Sequence, residues 1–438
     1  MISLLAVVVF GLSTAINAQN VAANSCSQTD VQTAIRAAAS GDTVTVPRGN
    51  CSWSSMITVT KAIHIQGAGV GNTIITLSAG GLFFNPTTGE VSKVFEINGF
   101  TFNGNNAIDE TGYGKTPPIT GLKIHDNAFN NASTGRAIFL AGLEFGVIYH
   151  NTFGVTGSGN FIDIGVGTGS SGLPGCIYPT TLGSVDSIYV EDNTIGNGVG
   201  AEFVSETGQC GRMVFRHNTI TGYDSGGGSE VFDVHGEQNS GGWTVSSEYY
   251  HNMVSVGSTP FRWMHLRGGQ AVIMNNTISR GLAFNITEYQ DHGGNGICNA
   301  YPIAYNSSEN YCSPISGTCL ETQIHNSFFF NNIAGGSQQT PGYTDATGGS
   351  CGSDPPWGDN NYIVQNREYW LPTYGLAASL PATCTADGNT YYGATDTDVI
   401  YKCTSRNTWR VFYQPYTYPH PLRTDSIAPP TNLTDVVK

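Results

Sequence analysis

Short apolar runs recur along the chain, and many of them end at an asparagine that another apolar residue soon follows. Seven asparagines hold this position: Asn127, Asn151, Asn193, Asn218, Asn252, Asn276 and Asn332. Successive members are 24, 42, 25, 34, 24 and 56 residues apart, so a spacing of 24 to 25 residues occurs three times. Self-similarity at a fixed spacing predicts a solenoid in which each repeat forms one coil and the longer intervals carry insertions.

These asparagines are expected in the turns between the short strands of each coil. An asparagine tolerates unusual backbone angles, and its amide can bond to the equivalent asparagine of the next coil to form a ladder. Four histidines stand beside the ladder in sequence: His125, His150, His217 and His251. We therefore expect the asparagines and these histidines to be structural, in coils that contribute several short strands to parallel sheets.

The segment after residue 26 predicts a helix that closes the first coil. Thr29 to Gln32 has the pattern of a capping box, and Val31, Ile35 and Ala38 fall on one face of a short helix. The apolar alternation that follows predicts a strand. Such a helix would cover the open edges of the first coil and block edge-to-edge association.

Three early segments carry a resemblance to a known superfamily. Gly41 to Pro47, Ile63 to Gly69 and Gly99 to Phe102, together with the helix before them, resemble the opening of pectate-lyase-like right-handed parallel β-helix proteins. The resemblance extends from about residue 26 to residue 335 and implies an all-β, right-handed parallel β-helix. It implies no single activity, because the superfamily includes lyases, hydrolases, epimerases, phage tailspikes and non-catalytic surface proteins.

Composition divides the chain into four parts. Residues 1–18 are apolar and end in small residues, which predicts a cleaved secretory signal peptide. The β-helix is expected over residues 19–354 and a flexible tail over residues 423–438. Tyrosines and tryptophans crowd residues 355–422, which predicts an aromatic C-terminal cap over the last coil, with a platform for stacking sugar rings as the alternative.

The overall composition favours one elongated β architecture over the three domains that 438 residues would suggest. Charged residues make up 11% of the chain, and 56 residues are glycine. The net charge of −14 opposes binding to nucleic acid or to anionic lipid. No apolar run after the N-terminus is long enough to span a bilayer, so we expect no nucleic-acid partner and no membrane insertion.

All ten cysteines follow the predicted signal peptide, and an even set in that context implies disulfides and a secreted, extracellular protein. Proximity suggests the pairs Cys26–Cys51, Cys176–Cys210 and Cys384–Cys403. Two further bridges would join the remaining four cysteines, Cys298, Cys312, Cys319 and Cys351.

Candidate chemistry lies at one recurring position of the central repeats. If Val204, Val234 and Met264 face inward, His235 and His265 fall on neighbouring coils. Stacked strands lie about 4.8 Å apart, so two such imidazoles could contact one ligand. The candidate catalytic residues are His235, His265, Arg262, Arg267, Asp233, Glu237 and Glu288, and the candidate substrate-binding residues are Asp163, Glu202, Trp263 and Tyr289.

Two reactions fit these residue types. In a lyase, Arg262 or Arg267 would neutralise a uronate carboxylate while His235 or His265 removes the α-proton. The central repeats contain no lysine, so a lysine base is excluded there. In a hydrolase, two carboxylates would serve as acid and base or nucleophile, chosen from Asp163, Glu202, Asp233, Glu237 and Glu288.

The sequence thus predicts a secreted protein that acts on a glycan and cleaves an extracellular polysaccharide, with β-elimination slightly ahead of hydrolysis. The alternative is a non-catalytic protein that binds a surface glycan, mediates adhesion or forms fibres by end-to-end self-association. No cofactor is required by the pattern. A calcium site built from Asp and Asn oxygens is compatible with the acidity, but no spacing identifies one.

Overall fold

The computed structural model describes most of the predicted β-helix and most of the predicted C-terminal cap. The residues described are 18–112, 118–131, 136–142, 144–155, 162–164, 181–196, 199–201, 204–208, 210–225, 230–236, 244–257, 260, 262–287, 324–344 and 365–423. The predicted signal peptide up to residue 17 and the predicted tail after Arg423 lie outside this set. No helix among these residues has the length and apolarity that a membrane span requires.

Three long sheets wrap around a common core, and the chain visits them in turn. The first sheet contains, in spatial order, Asn20–Ala22, Thr43–Val46, His64–Gly67, Phe95–Asn98, Ile119–His125, Glu144–Tyr149, Ile188–Glu191, Arg212–Arg216, Ser246–Tyr250, Gln270–Met274, His325–Phe330 and Tyr369–Trp370. Every neighbouring pair in this sheet is parallel, as a solenoid of stacked coils requires.

The second sheet follows the first after a tight turn in each coil. Its strands are Gly49–Trp53, Thr73–Leu77, Phe100–Asn103, Ala128–Asn131, Thr152–Val155, Thr194–Gly196, Thr219–Ser225, Met253–Val256, Thr277–Ile278, Ile333–Ala334 and Ser337–Gln338, with Val199–Ala201 pairing beside Thr219–Ser225. The last two strands of the row pair antiparallel, whereas the others pair parallel. The sheet therefore ends in a small hairpin.

The third sheet completes each coil and carries the candidate chemistry. Its strands are Ile57–Val59, Leu82–Phe84, Ile108–Gly112, Ile138–Gly142, Ile162–Ile164, Ser205–Thr207, Glu230–Val234, Arg262–Leu266, Ala283–Thr287 and Gly342–Thr344. With three parallel sheets on one core, the predicted all-β, right-handed parallel β-helix is confirmed.

The core is built from columns of apolar side chains in register. In the first sheet, one inward column joins ten successive coils: Val44, Ile65, Ile97, Ile124, Ile148, Val190, Phe215, Tyr249, Ile273 and Phe329. All ten are at most 2% exposed. Because side chains alternate across a strand, the neighbouring positions of the same strands face outward.

The asparagine ladder is continuous over the seven positions. Each side-chain Nδ2 donates to the Oδ1 of the next asparagine, at distances from 2.9 to 3.2 Å. The unusual backbone angle belongs to the residue before each ladder asparagine, where φ lies between 51° and 56°. His150, His217 and His251 are among these preceding residues, so three of the four turn histidines mark the left-handed position of the turn.

A helix covers the first coil, as predicted, although it begins earlier than the sequence pattern suggested. The helix is Gln28–Ala37, and the Ser27 side chain accepts a hydrogen bond from the Asp30 N–H, so Ser27 and not Thr29 is the N-cap. Its buried face packs against the first strands of all three sheets. The predicted Cys26–Cys51 disulfide joins the start of this segment to the second sheet.

The aromatic C-terminal unit is a sheet of four strands: Thr373–Gly375, Tyr391–Ala394, Val399–Ser405 and Thr408–Tyr413. A 3-10 turn, Ala377–Ser379, lies between the first two strands, and the predicted Cys384–Cys403 disulfide closes the unit. Its rings do not cover only the last coil, because they pack along the outer face of the first sheet. There they form one apolar cluster with outward residues of several coils, including Val147, Val214 and Val272.

Residues 413–423, which we call the C-terminal strap, continue along this outer face. The Arg216 guanidinium donates to the backbone carbonyls of Tyr416 and Thr417, at 2.8 Å each. It also pairs with Glu191 at 2.7 Å, and both of these side chains are fully buried. The strap is therefore attached to central coils through charge-assisted hydrogen bonds.

Arg423, the first residue of the predicted flexible tail, belongs to this attachment. Its side chain is 2% exposed and pairs with Glu191 at 3.0 Å and with Asp192. A further contact at 3.0 Å reaches the Nε2 atom of His150. Any flexible tail therefore begins after Arg423.

Candidate functional site

One outward column of the third sheet brings polar residues of successive coils into register. Asp163 pairs with Glu206, Glu206 with Asp233, Asp233 with His265, and His265 with Asn285. The residues on either side of this column, such as Val234 and Leu266, face the core. The alternation of the strands therefore places the side chains of Glu206, Asp233 and His265 on one face.

We call seven residues on this face the third-sheet cluster: Glu206, Glu230, Asp233, His235, Arg262, His265 and Arg267. All except Arg262 are less than 9% exposed, and the Arg262 side chain is 14% exposed. Charged groups are buried only when they are paired, so the contacts within the cluster hold it together.

His235 lies at the centre of one half of the cluster. Its Nε2 atom is 2.8 Å from Glu206 Oε1 and 2.8 Å from Asp233 Oδ2. The Arg267 guanidinium contacts the same nitrogen at 3.0 Å and also bonds to Asp233 Oδ2. Two carboxylates and a guanidinium thus fix the orientation of this imidazole ring.

His265 organises the other half. Its Nδ1 atom is 3.1 Å from Glu230 Oε1 and 4.0 Å from Asp233 Oδ1. The other oxygen of Glu230 accepts a hydrogen bond from Arg262 Nη2 at 3.2 Å. Asp233 therefore links the two halves, because one of its oxygens faces His235 and the other faces His265.

The pKa shifts in the cluster follow from these contacts. Burial opposes the charge of Asp233, but Arg267 and His235 outweigh it and hold the pKa of that carboxyl well below its usual range. Burial and Arg267 oppose protonation of His235, yet Asp233 and Glu206 prevail, so the His235 pKa is raised. For His265, burial outweighs the Glu230 hydrogen bond and the pKa is lowered.

The two histidines consequently favour different protonation states. The lowered pKa of His265 favours its neutral form, whereas the raised pKa of His235 favours its protonated form and makes His235 the stronger base when it is neutral. An imidazole that carboxylates hold in one orientation is suited to general acid–base catalysis, because it exchanges a proton in a fixed direction.

The structure brings together five of the predicted site residues: Asp233, His235, Arg262, His265 and Arg267. His235 and His265 do lie on neighbouring coils, but they are not in the same row. The strand register pairs His265 with Asp233 and Val234 with Leu266. His235 therefore comes next to Arg267, as their 3.0 Å contact shows.

The remaining predictions divide into three groups. Trp263 is fully buried in the core, where its ring packs against Phe232 and Phe284, so the structure does not support it as a substrate-binding residue. Asp163 occupies the expected row of the third sheet through its backbone pairing. Outside the described residues lie Glu202, Glu237, Glu288 and Tyr289.

The sequence interpretation missed two members of the cluster, Glu206 and Glu230. Glu206 pairs with Asp233 and Thr207 pairs with Val234, so the assumption that Val204 occupies the inward row of Val234 was wrong and misaligned this coil. Glu230 pairs with Arg262, and an acid opposite an arginine on the next coil was the available signal.

Two groups of side chains in the cluster have the composition of metal ligands. Glu206, Asp233 and His235 form one group, and Glu230, Asp233 and His265 form the other. In each group the candidate ligand atoms lie within 4.8 Å of one another. Neither group has the oxygen-only composition that calcium prefers.

Of the predicted disulfides, two are confirmed, Cys26–Cys51 and Cys384–Cys403. Cys210 is also disulfide-bonded. Its predicted partner Cys176 lies outside the described residues, as do Cys298, Cys312, Cys319 and Cys351.

Comparison with known proteins shows a distant structural likeness. No protein-family model matches the chain, and no curated protein matches its sequence. Among solved structures it is similar to the PL6 family alginate lyase AlyGC, with a TM-score of 0.37 and 13% sequence identity. The match covers 76% of this chain but only 39% of the alginate lyase, so it spans well under half of that protein.

Proposed function

We propose that this protein is a secreted enzyme that cleaves an acidic extracellular polysaccharide by β-elimination at the third-sheet cluster. The observation that carries the proposal is the packing of a carboxylate-oriented imidazole, His235, beside two guanidinium groups on a single face. The two disulfides support secretion, because such bonds persist in oxidising compartments.

In this mechanism His235 removes the proton next to the uronate carboxylate. The base is the neutral form of His235, in which Nε2 donates its hydrogen to Asp233 or Glu206 and Nδ1 is the nitrogen that takes up the proton. The C–H electrons form a carbon–carbon double bond as the glycosidic C–O bond breaks, and the leaving oxygen takes a proton from solvent. Asp233 and Glu206 stabilise the imidazolium that results.

The arginines supply the charge that the developing enolate requires. Arg262 has the most exposed side chain of the cluster, which supports its assignment as the residue that binds the uronate carboxylate. Arg267 stays paired with Asp233 and holds it against His235. A planar guanidinium can bind a carboxylate through two parallel hydrogen bonds, which a lysine cannot.

Hydrolysis is less well supported by the same geometry. A glycosidase needs a carboxylic acid whose raised pKa keeps it protonated until it donates to the leaving oxygen. Asp233, the carboxyl at the centre of the cluster, has the opposite shift.

A non-catalytic role as a glycan-binding, adhesive or fibre-forming protein is the second candidate. It is favoured by the deep burial of the cluster, whose charges pair with one another. The helix Gln28–Ala37 covers the first coil, which argues against end-to-end stacking at that end.

The test is mass spectrometry of products after purified, oxidised protein is incubated with a panel of acidic and neutral polysaccharides. We expect unsaturated oligosaccharides from the wild type and none from His235→Gln or Arg262→Gln. The matched controls are His64→Gln on the first sheet and the exposed Arg280→Gln, which should retain cleavage.

Saturated products would show that the reaction is hydrolysis and not β-elimination. If folded wild-type protein released no product from any glycan, the non-catalytic alternative would be preferred.

A further inference from the structure

We propose that Glu230, Asp233 and His265 form a binding site for one divalent transition-metal ion, with Zn²⁺ as the best match. This site goes beyond the proposed function, because the β-elimination described above uses His235 and needs no metal.

The three ligand atoms have the separations that a metal requires. Glu230 Oε1 and His265 Nδ1 are 3.1 Å apart, and His265 Nδ1 and Asp233 Oδ1 are 4.0 Å apart. All three atoms lie within 4.8 Å of one another. Ligands at about 2.0–2.2 Å from a zinc ion are themselves about 3–4 Å apart, so the ion fits with small side-chain adjustments.

A second observation points to a ligand at the same place. Asp233 is fully buried, and its Oδ1 atom has no hydrogen-bond partner. Its Oδ2 atom, by contrast, is contacted by both His235 and Arg267. A buried carboxylate oxygen without a partner is unfavourable, and coordination of a cation beside His265 would satisfy it.

The two arginines fit a supporting role around such a site. Arg262 contacts Oε2 of Glu230, and Arg267 contacts Oδ2 of Asp233. In each carboxylate the oxygen that faces His265 is therefore the one the arginine does not use. Metal-ligating carboxylates are characteristically oriented by hydrogen bonds of this kind to the second oxygen.

The other candidate group does not offer a comparable position. In Glu206, Asp233 and His235, the Nε2 atom is 2.8 Å from both carboxylates, which are hydrogen-bond distances. Arg267 contacts the same nitrogen at 3.0 Å. Hydrogen bonds and a guanidinium already occupy the directions that a metal would need.

The ligand types select the metal. One imidazole nitrogen and two carboxylate oxygens suit zinc and related first-row ions. Calcium takes six to eight oxygen ligands, so this group does not match the calcium site that the acidity of the chain allowed.

The experiment measures metal binding directly. Protein stripped with a chelator is dialysed against Zn²⁺, and bound zinc is counted by inductively coupled plasma mass spectrometry while affinity is measured by calorimetry. We expect about one zinc per chain in the wild type, and an affinity at least about tenfold lower in Glu230→Gln and His265→Gln. Glu90→Gln, which changes a carboxylate that pairs with Lys93 outside the cluster, is the control and should bind zinc as the wild type does.

A spectroscopic measurement identifies the ligands independently of affinity. Co²⁺ bound in place of zinc should give visible absorption bands that change in His265→Gln. Circular dichroism and thermal melting establish that each variant is folded before its binding is compared.

The proposal fails if folded wild-type protein retains no zinc after dialysis, or if Glu230→Gln and His265→Gln bind as tightly as the wild type. Binding of Ca²⁺ but not Zn²⁺ to these residues would overturn the metal assignment. Zinc binding without glycan cleavage would reject only the proposed function, and cleavage by zinc-free protein without zinc affinity would reject only this site.

Discussion

At the scale of single residues, His420 shows how burial and neighbouring charges change the pKa of a side chain. Its side chain is 2% exposed in the C-terminal strap, where Nδ1 accepts a hydrogen bond from the Leu422 N–H and Nε2 has no hydrogen-bond partner. Burial, together with the positive charges of Arg216 and Arg423, lowers its pKa to about 3. The ring therefore stays neutral in the folded protein at any moderately acidic pH.

This shift predicts acid sensitivity. In the unfolded chain the imidazole takes up a proton below a pH of about 6.5, whereas in the folded chain it does so only near a pH of about 3. Since the unfolded state binds more protons in this window, the free energy of unfolding falls as pH falls, by up to about 1.4 kcal/mol per pH unit. His420→Asn, which keeps an acceptor near the Nδ1 position, should show a shallower fall in urea titrations.

The quantity compared is the slope of the free energy of unfolding against pH, in the wild type and in the variant. The difference between the two slopes isolates His420, because the other histidines contribute to both. Equal slopes would show that the pKa of His420 is not lowered in the folded protein.

The site residues show what a sequence can and cannot reveal at this scale. The repeat spacing identified the strands that carry Asp233, His235 and His265. It did not reveal that His235 contacts Arg267 while His265 lies beside Asp233. These contacts depend on the exact strand register, and an error of one residue in the register changes the partner of every side chain. Trp263 was misjudged for a different reason: strict alternation places it on the face of His265, but the strand pairing is irregular between Arg262 and Met264 and the Trp263 ring is buried in the core.

At the scale of elements, the asparagine ladder joins the turns of successive coils. Asn218 is 1% exposed, and its Nδ2 atom donates to the carbonyls of Val190 and Arg216 as well as to the next ladder asparagine. Its Oδ1 atom accepts from the backbone N–H of Asn193 at 3.0 Å. One side chain thus satisfies three backbone groups on two coils and bonds to the ladder asparagine of a third.

Replacement of this side chain should be costly. Asn218→Ala leaves a buried N–H and two buried carbonyls without partners, at about 1–3 kcal/mol for each unsatisfied group. We expect a loss of about 3 kcal/mol or more in the free energy of unfolding, measured by chemical denaturation. Asn130→Ala is the control, because Asn130 is exposed and its side chain donates to the side chain of Asn103 and not to a backbone group among the described residues. Similar losses in both variants would contradict a special role for the ladder.

The ladder was predictable from spacing because its chemistry repeats in sequence. The position of the C-terminal sheet was not, because it depends on outward residues such as Val147 and Val214 that are spread over distant coils. The strands that carry them have apolar residues on both faces. Such a pattern indicates that both faces are buried, but it does not indicate which segment covers the outer one.

At the scale of the whole molecule, the buried Arg216 and Glu191 pair attaches the C-terminal strap to the middle of the solenoid. Arg216→Gln would leave Glu191 with less compensation in a fully buried position, and breaking such a pair costs about 3–5 kcal/mol. We expect a lower melting temperature and faster protease cleavage near residues 413–423. Arg410→Gln, at an exposed position of the C-terminal sheet, should change neither quantity. Unchanged cleavage of the strap in Arg216→Gln would show that other contacts hold it.

The strap also changes how the molecule would carry mechanical load. A solenoid whose coils contact only their neighbours peels from an end, one coil at a time, under tension. Here Arg423 pairs with Glu191, 232 residues earlier in the chain, and Arg216 bonds to Tyr416, so tension applied at the C-terminus enters the molecule at the central coils. The coils between residues 191 and 423 then form a closed loop that bears no tension until these contacts break. The third-sheet cluster lies within this loop and is therefore shielded from force.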